Sequence, residues 1–132
     1  REPLARFGHS LGMAFQIADD LLDYTETEAV TGKPSGHDLR EHKVTLPLIA
    51  AFDSMDGPER REIEVFFADP EPTDEGIERV VELVRRHGGL EYARRRAEEY
   101  GSRAAAALSS VPPSEATESL RDAIAYVIER RH

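Results

Sequence analysis

Helical spacing of apolar side chains runs along nearly the whole chain and restricts its fold more than any other feature. No stretch alternates apolar and polar residues as a half-buried strand would, and no repeat or interdomain linker is visible. The predicted helices cover residues 3–24, 45–55, 58–68, a segment capped by Thr73 and ended by Gly88-Gly89, residues 90–108, and a last segment capped by Ser114. The sequence therefore predicts an all-α protein built as a helical bundle.

Composition removes several classes of function. The chain has 26 acidic and 17 basic side chains and a formal charge of −9, so it lacks the basic surface of a general nucleic-acid-binding protein. It has no cysteine, which excludes disulfides, thiolate zinc sites and cysteine nucleophiles. No apolar run approaches the roughly 20 residues of a transmembrane helix, so we expect no membrane span.

Three aspartates, Asp19, Asp20 and Asp23, lie at the end of the most apolar predicted helix. Apolar residues cover most of the surface of residues 3–24, which predicts a helix buried in a larger body. At about 100° per residue, Asp19 and Asp23 point the same way, and Gln16 lies on the same side. Clustered carboxylates at the negative pole of a helix are unfavourable without a cation, and a hard ion such as Mg²⁺ removes the conflict. The alternative is that the three are solvated where the helix emerges from the protein.

A long predicted loop, residues 25–44, follows this helix and carries two lysines. Lys33 follows Gly32, and Lys43 closes the loop, with Asp38 between the two lysines. A structureless loop of this length inside a compact domain is usually functional. Two interpretations stay open. The lysines either pair with nearby carboxylates on the surface, which contributes little, or neutralise a phosphorylated ligand that is held together with the metal.

The run from Gly8 to about Ile49 resembles the second aspartate-rich region of the trans-type polyprenyl diphosphate synthases, the enzymes related to farnesyl and geranylgeranyl diphosphate synthases. The matching positions are Phe15-Gln16, Asp19-Asp20-Leu21-Leu22-Asp23, Gly32-Lys33, Gly36, Asp38-Leu39, Lys43 and Thr45-Leu46-Pro47. The later helices fit the C-terminal portion of that family only loosely. One departure is Glu41-His42, because the family commonly has a glycine or an asparagine next to the lysine.

The resemblance implies a prenyltransferase with the isoprenoid synthase fold. Such an enzyme condenses an allylic diphosphate with isopentenyl diphosphate and so extends a linear isoprenoid chain. By this resemblance, Asp19, Asp23 and Asp38 would bind Mg²⁺, with support from Asp20. Lys33 and Lys43 would contact the allylic diphosphate and its leaving pyrophosphate. Phe15 and Gln16 would line the substrate cavity. The resemblance also implies a cytoplasmic enzyme whose full-length form is a homodimer.

The chain contains no second DDxxD motif, and the family's first aspartate motif and isopentenyl diphosphate site precede the matched region. We therefore expect residues 1–132 to be one C-terminal fragment of a polyprenyl synthase domain that does not catalyse elongation alone. Its parts would be the DDxxD helix (1–24), the diphosphate and metal loop (25–44) and the C-terminal helices (45–132). Two alternatives stay open: another isoprenoid synthase, such as a cyclase or a head-to-head synthase, and a non-catalytic structural subunit of a heteromeric synthase. The glycine–lysine loop favours the linear-chain family over the other synthases.

Overall fold

The structure is a computed structural model that describes residues 2–25 and 37–129, and over these residues every regular element is a helix. The helices are α1 (Glu2–Thr25), α2 (His37–Arg40), α3 (Leu46–Phe52), α4 (Gly57–Ala68), α5 (Asp74–Arg86), α6 (Gly89–Leu108) and α7 (Glu115–Glu129). The predicted all-α class is confirmed. The short helix α2 lies within the segment predicted as a structureless loop. None of the helices in the described part of the chain has the length and hydrophobicity that crossing a bilayer requires.

The described residues fall into two compact units, the first within 1–19 and 94–132 and the second within 20–93. Helices α1 and α6 each contribute to both units. In the first unit, alanines pack with a few larger apolar side chains to make the core. Phe7 and Ile124 pack with Ala104, Ala107 and Leu108 in one cluster, and Ala14, Ala18 and Val127 form another. Alanines at these positions let the helices of the unit approach closely.

Helix α1 buries one face only. Phe7, Ala14 and Ala18 are buried, whereas Leu4 is 46% exposed and Phe15 is 43% exposed. The prediction that this helix is buried in a larger body stays a prediction, because these exposures are those of the described residues alone. Within the described part of the chain, the other helices supply apolar partners to one face of α1.

The second unit is built around α5, against which α3 and α4 pack. The buried stripe of α5 consists of Ile77, Val80, Val81, Leu83 and Val84. This stripe recurs at the three- and four-residue spacing of one helical face, as the sequence predicts. Tyr24, Leu21 and Leu39 are also fully buried in this unit and lie close in sequence to the predicted site residues.

Local capping explains where α4 and α5 begin and end. The Asp56 carboxylate accepts a hydrogen bond from the Glu59 amide (2.8 Å), and the Glu59 carboxylate accepts one from the Asp56 amide (3.1 Å), which is a complete capping box. The Thr73 hydroxyl caps α5 by accepting from the Gly76 amide (3.0 Å). Gly88, with φ of 76°, then ends the segment in the left-handed conformation that favours glycine.

Gly89 begins α6 at a close approach between two backbones. A Cβ atom at this position would lie 2.2 Å from the Pro47 carbonyl oxygen and 2.9 Å from a methyl group of Val84. No side chain fits at that distance. The pair Gly88-Gly89 is predicted from the sequence as a helix stop. Gly88 is needed for its positive φ, and Gly89 is needed because no Cβ atom fits there.

Candidate metal and diphosphate site

The carboxylate of Asp23 joins the end of α1 to the start of α2. Its Oδ1 accepts a hydrogen bond from the His37 amide (3.0 Å), and its Oδ2 accepts one from the Asp38 amide (3.1 Å). The first amides of a helix have no partners within the helix, and a carboxylate is a strong acceptor for them. Asp23 thus fixes the position of Asp38 through the backbone.

The turn after α2 brings Asp38 and Lys43 together. The Lys43 amide donates to the Asp38 carbonyl oxygen (2.7 Å), and the Lys43 ammonium Nζ lies 3.8 Å from Asp38 Oδ1. The Asp38 side chain is largely covered, whereas the Lys43 side chain is 62% exposed. The lysine therefore keeps most of its donor capacity toward solvent, and an anionic ligand can reach it from there.

Tyr24 is buried, and the pKa of its phenol is affected by the carboxylates near it. Burial raises the pKa of its phenol well above the ordinary value, and a weak interaction with the Thr45 hydroxyl opposes that increase. The negative charges of Asp23, Asp38 and Asp20 raise the pKa further. Both hydroxyls are buried and neither makes a well-formed hydrogen bond. The second unit therefore keeps this phenol neutral and buried close to three carboxylates.

Two contacts that the sequence did not predict hold α2 and its turn in place. Arg40 pairs with Asp74 in the first turn of α5, with 2.7 Å between guanidinium and carboxylate. His42 has a φ of 59°, and its ring packs on Phe66 and Phe67 of α4. A signal for the left-handed backbone of His42, though not for its ring contacts, was present in the sequence. A position commonly taken by glycine or asparagine is often one that requires a left-handed backbone.

The remaining predicted site residues are placed as follows. Phe15, Gln16 and Asp19 are exposed on α1 within the first unit. Asp20 is half-buried in the second unit. Lys33 lies outside the described residues. The structure thus brings together Asp23, Asp38 and Lys43, and it places Asp20 close enough to Tyr24 to affect its pKa.

The donor set fits a hard divalent cation that is completed by a ligand. Within residues 2–25 and 37–129, no group of three histidine, aspartate or glutamate side chains is arranged to hold a metal ion by itself. Mg²⁺ does not need one, because it is usually bound by one or two carboxylates plus waters and substrate phosphates. Each oxygen of Asp23 accepts one backbone hydrogen bond and keeps a second lone pair.

Known proteins have a similar sequence within a longer polypeptide. The chain is 40% identical over 130 residues to an all-trans-nonaprenyl-diphosphate synthase (geranyl-diphosphate specific) of Rhodobacter capsulatus, which covers 98% of this chain and 39% of that protein. It is 35% identical over 133 residues to heptaprenyl diphosphate synthase component 2 of Geobacillus stearothermophilus, covering 98% of this chain and 40% of that protein. The chain therefore spans about two fifths of the length of these relatives.

A crystal structure gives the same result for the fold. The polyprenyl synthase from Caulobacter crescentus, complexed with calcium and isoprenyl diphosphate, superimposes with a TM-score of 0.87 at 35% identity over 99% of this chain and 40% of that one. The sequence model of the family described as polyprenyl synthetase matches residues 1–84, which include the aspartate triplet, the loop and helices α2 to α4. The chain belongs to the polyprenyl synthetase family.

Proposed function

We propose that this chain supplies the diphosphate-binding part of a polyprenyl diphosphate synthase, which condenses an allylic diphosphate with isopentenyl diphosphate. The observation that carries the proposal is the placement of Asp38 beside Lys43 on a turn whose start is held by the two hydrogen bonds that Asp23 accepts. One short turn therefore carries both a carboxylate that can bind a metal ion and an ammonium group that can donate hydrogen bonds to a phosphate. Binding a diphosphate with a divalent cation requires that combination.

The proposed roles follow the chemistry of each side chain. Mg²⁺ would be held by carboxylate oxygens and would neutralise charge on the diphosphate. Its proposed ligands are Asp19, one helical turn before Asp23, together with Asp20, Asp23 and Asp38. Lys33 and Lys43 would donate to the diphosphate, and Phe15 and Gln16 would line the prenyl cavity.

The reaction needs fixed positive charge because its barrier is charge separation. When the allylic carbon–oxygen bond breaks, the electron pair stays with the departing pyrophosphate, and the lysine ammonium groups stabilise it. The double bond of isopentenyl diphosphate then forms the new carbon–carbon bond with the allylic cation, and a proton is lost. Lys43 is suited to this role because its side chain is exposed and is held near Asp38 by the backbone of the turn.

Partner and location are also part of the proposal. We propose a homodimeric, cytoplasmic enzyme. Some relatives are named as chloroplastic. One relative is named as component 2 of a heptaprenyl diphosphate synthase, so assembly from unlike chains is the second candidate. In that case the chain would have a structural role, and its acidic and basic site residues would not be needed for ligand binding.

Calorimetric titration of the chain with inorganic pyrophosphate, with and without Mg²⁺, tests the proposal. We expect binding that requires Mg²⁺ and that is weakened about tenfold or more in Asp19→Ala, because a carboxylate that contacts the metal is removed. The matched control is Asp122→Ala, an aspartate exposed on α7, which should bind like the parent chain. Absence of Mg²⁺-dependent binding in the parent, or equal binding by Asp19→Ala and Asp122→Ala, would support the structural role instead.

A further inference from the structure

His42 has a backbone conformation that its side chain disfavours. Its φ of 59° lies in the left-handed region, and no other non-glycine residue in the described part of the chain has a positive φ. Histidine carries a Cβ atom that crowds the following carbonyl in this region, whereas glycine avoids the crowding and asparagine tolerates it. Something other than local preference must therefore hold the turn in this conformation.

The imidazole ring supplies that restraint by packing on two aromatic side chains of α4. Its centroid lies 5.8 Å from that of Phe66 in an edge-on arrangement and 5.6 Å from that of Phe67. The two phenylalanines themselves pack edge to face at 5.2 Å, and Phe66 is buried. These separations are those of favourable aromatic pairs. The buried Nε2 of His42 makes no hydrogen bond, so the ring acts here by packing and not as a polar group.

The backbone on either side of His42 shapes the site described above. The His42 amide donates to the Leu39 carbonyl oxygen (2.9 Å), and the next amide, that of Lys43, donates to the Asp38 carbonyl oxygen (2.7 Å). The left-handed backbone of His42 reverses the chain direction, and the Lys43 ammonium group lies 3.8 Å from the Asp38 carboxylate as a result. A change of φ at His42 would turn Lys43 away from Asp38.

We propose that His42 is a positioning residue for Lys43, which holds the turn closed by anchoring its ring on Phe66 and Phe67. A glycine at position 42 would adopt the left-handed conformation without crowding but would have no ring to pack on α4. In this chain the conformation is costly and is held by packing. The consequence for diphosphate binding rests on the proposed function, whereas the consequence for the turn itself does not.

Two substitutions separate the ring from the backbone. His42→Gly removes the ring and also removes the crowding, so it is expected to fold at least as well as the parent chain. His42→Phe keeps an aromatic ring for Phe66 and Phe67 and replaces the unpartnered nitrogen by carbon. The first readout is hydrogen exchange at the Lys43 amide, with the Val84 amide in α5 as an internal reference for intact folding. The second is Mg²⁺-dependent binding of inorganic pyrophosphate.

We expect exchange of the Lys43 amide to rise about tenfold or more in His42→Gly while that of Val84 is unchanged, because only the turn opens. Pyrophosphate affinity should fall about tenfold in the same variant, as for loss of a residue that orients a ligand-binding group. His42→Phe should restore both properties. If His42→Gly protects Lys43 as well as the parent does, the inference is wrong. If the parent binds no pyrophosphate, the proposed function fails, and the exchange result still decides the role of His42.

Discussion

Two neighbouring parts of the second unit are held by different kinds of interaction. The α4–α5 hairpin (residues 57–86) has a capping box at one helix, a threonine cap at the other and a two-point ion pair between Glu62 and Arg79. The site turn (residues 37–45) has a histidine at positive φ and a helix start at Thr45 without a side-chain cap. Both helices of the hairpin begin at local side-chain caps, whereas the site turn departs from local preference.

The difference shows what each part depends on. The hairpin caps join residues three positions apart. The site turn depends on partners distant in sequence, since Asp23 holds its start and Phe66 and Phe67 hold its end. Violations of local preference that are compensated by tertiary contacts gather at functional sites, where a particular geometry is needed more than local stability. The comparison thus supports the site turn as the functional element of this unit.

The largest expected effect on stability comes from truncating the buried side chain of the site turn, Leu39. Leu39 is fully buried, so Leu39→Ala should lower the free energy of unfolding by about 2–5 kcal/mol through lost burial and a cavity. The matched control is Val65→Ala in the hairpin. Val65 is 63% exposed, and its truncation should change stability by no more than about 0.5 kcal/mol. Urea unfolding measures both, and equal losses would show that burial does not hold the site turn.

A smaller effect is expected from the tether at the start of the turn. Asp23→Ala removes a charged acceptor of two backbone hydrogen bonds, which should lower the free energy of unfolding by about 1.5–3 kcal/mol in metal-free buffer. In the hairpin, Glu62→Gln weakens an exposed ion pair with Arg79 and should have less effect, because such pairs are screened by solvent. Urea unfolding in the presence of a chelator gives both values. A larger loss for Glu62→Gln would reverse the comparison.

The same difference explains how much of the molecule the sequence predicts. The caps at Asp56 and Thr73 and the stop at Gly88-Gly89 depend on neighbouring residues, so helical periodicity and capping patterns locate α4 and α5 closely. Helix α2 escapes prediction because its first amides are satisfied by Asp23, which is 14 and 15 positions away in the sequence. Four residues without a local cap give no periodic signal.

Prediction of the site is limited by the same cause. Spacing along one helix placed Asp19 and Asp23 correctly on neighbouring turns of α1. The resemblance predicted that Asp38 and Lys43 belong to one site, and the turn brings them within 3.8 Å. The contact of His42 with Phe66 and Phe67 was not predictable from pattern, because no rule of spacing joins a turn to a helix that begins fifteen residues later. Whether the exposed apolar face of α1 has a partner is also beyond sequence pattern, because hydrophobicity predicts a tendency to be buried and not the presence of a partner.

The smallest expected effect tests the hairpin side of the comparison by pH. The hydrogen bond that Glu59 accepts from the Asp56 amide, together with His87 Nε2 at 2.9 Å, holds the pKa of the Glu59 carboxyl below its ordinary value. A lowered folded-state pKa means that Glu59 contributes stability above its unfolded pKa of about 4.3, and that this contribution is lost as the pH falls through the folded-state pKa. Glu59→Gln should therefore flatten the acid side of the stability profile and lower stability slightly at pH 7.

Urea unfolding at a series of pH values from about 7 to about 3 measures this profile. The matched control is Glu64→Gln, at an exposed position of the same helix, which should follow the parent curve. Hydrogen exchange adds the contrast with the site turn. As the pH falls, protection of the Asp56 amide should decrease in the parent chain once intrinsic exchange is corrected for pH, because the Glu59 carboxylate that accepts its hydrogen bond is protonated. If Glu59→Gln retained the acid dependence of the parent, ionisation of Glu59 would not be what makes the start of α4 more stable at neutral pH than in acid.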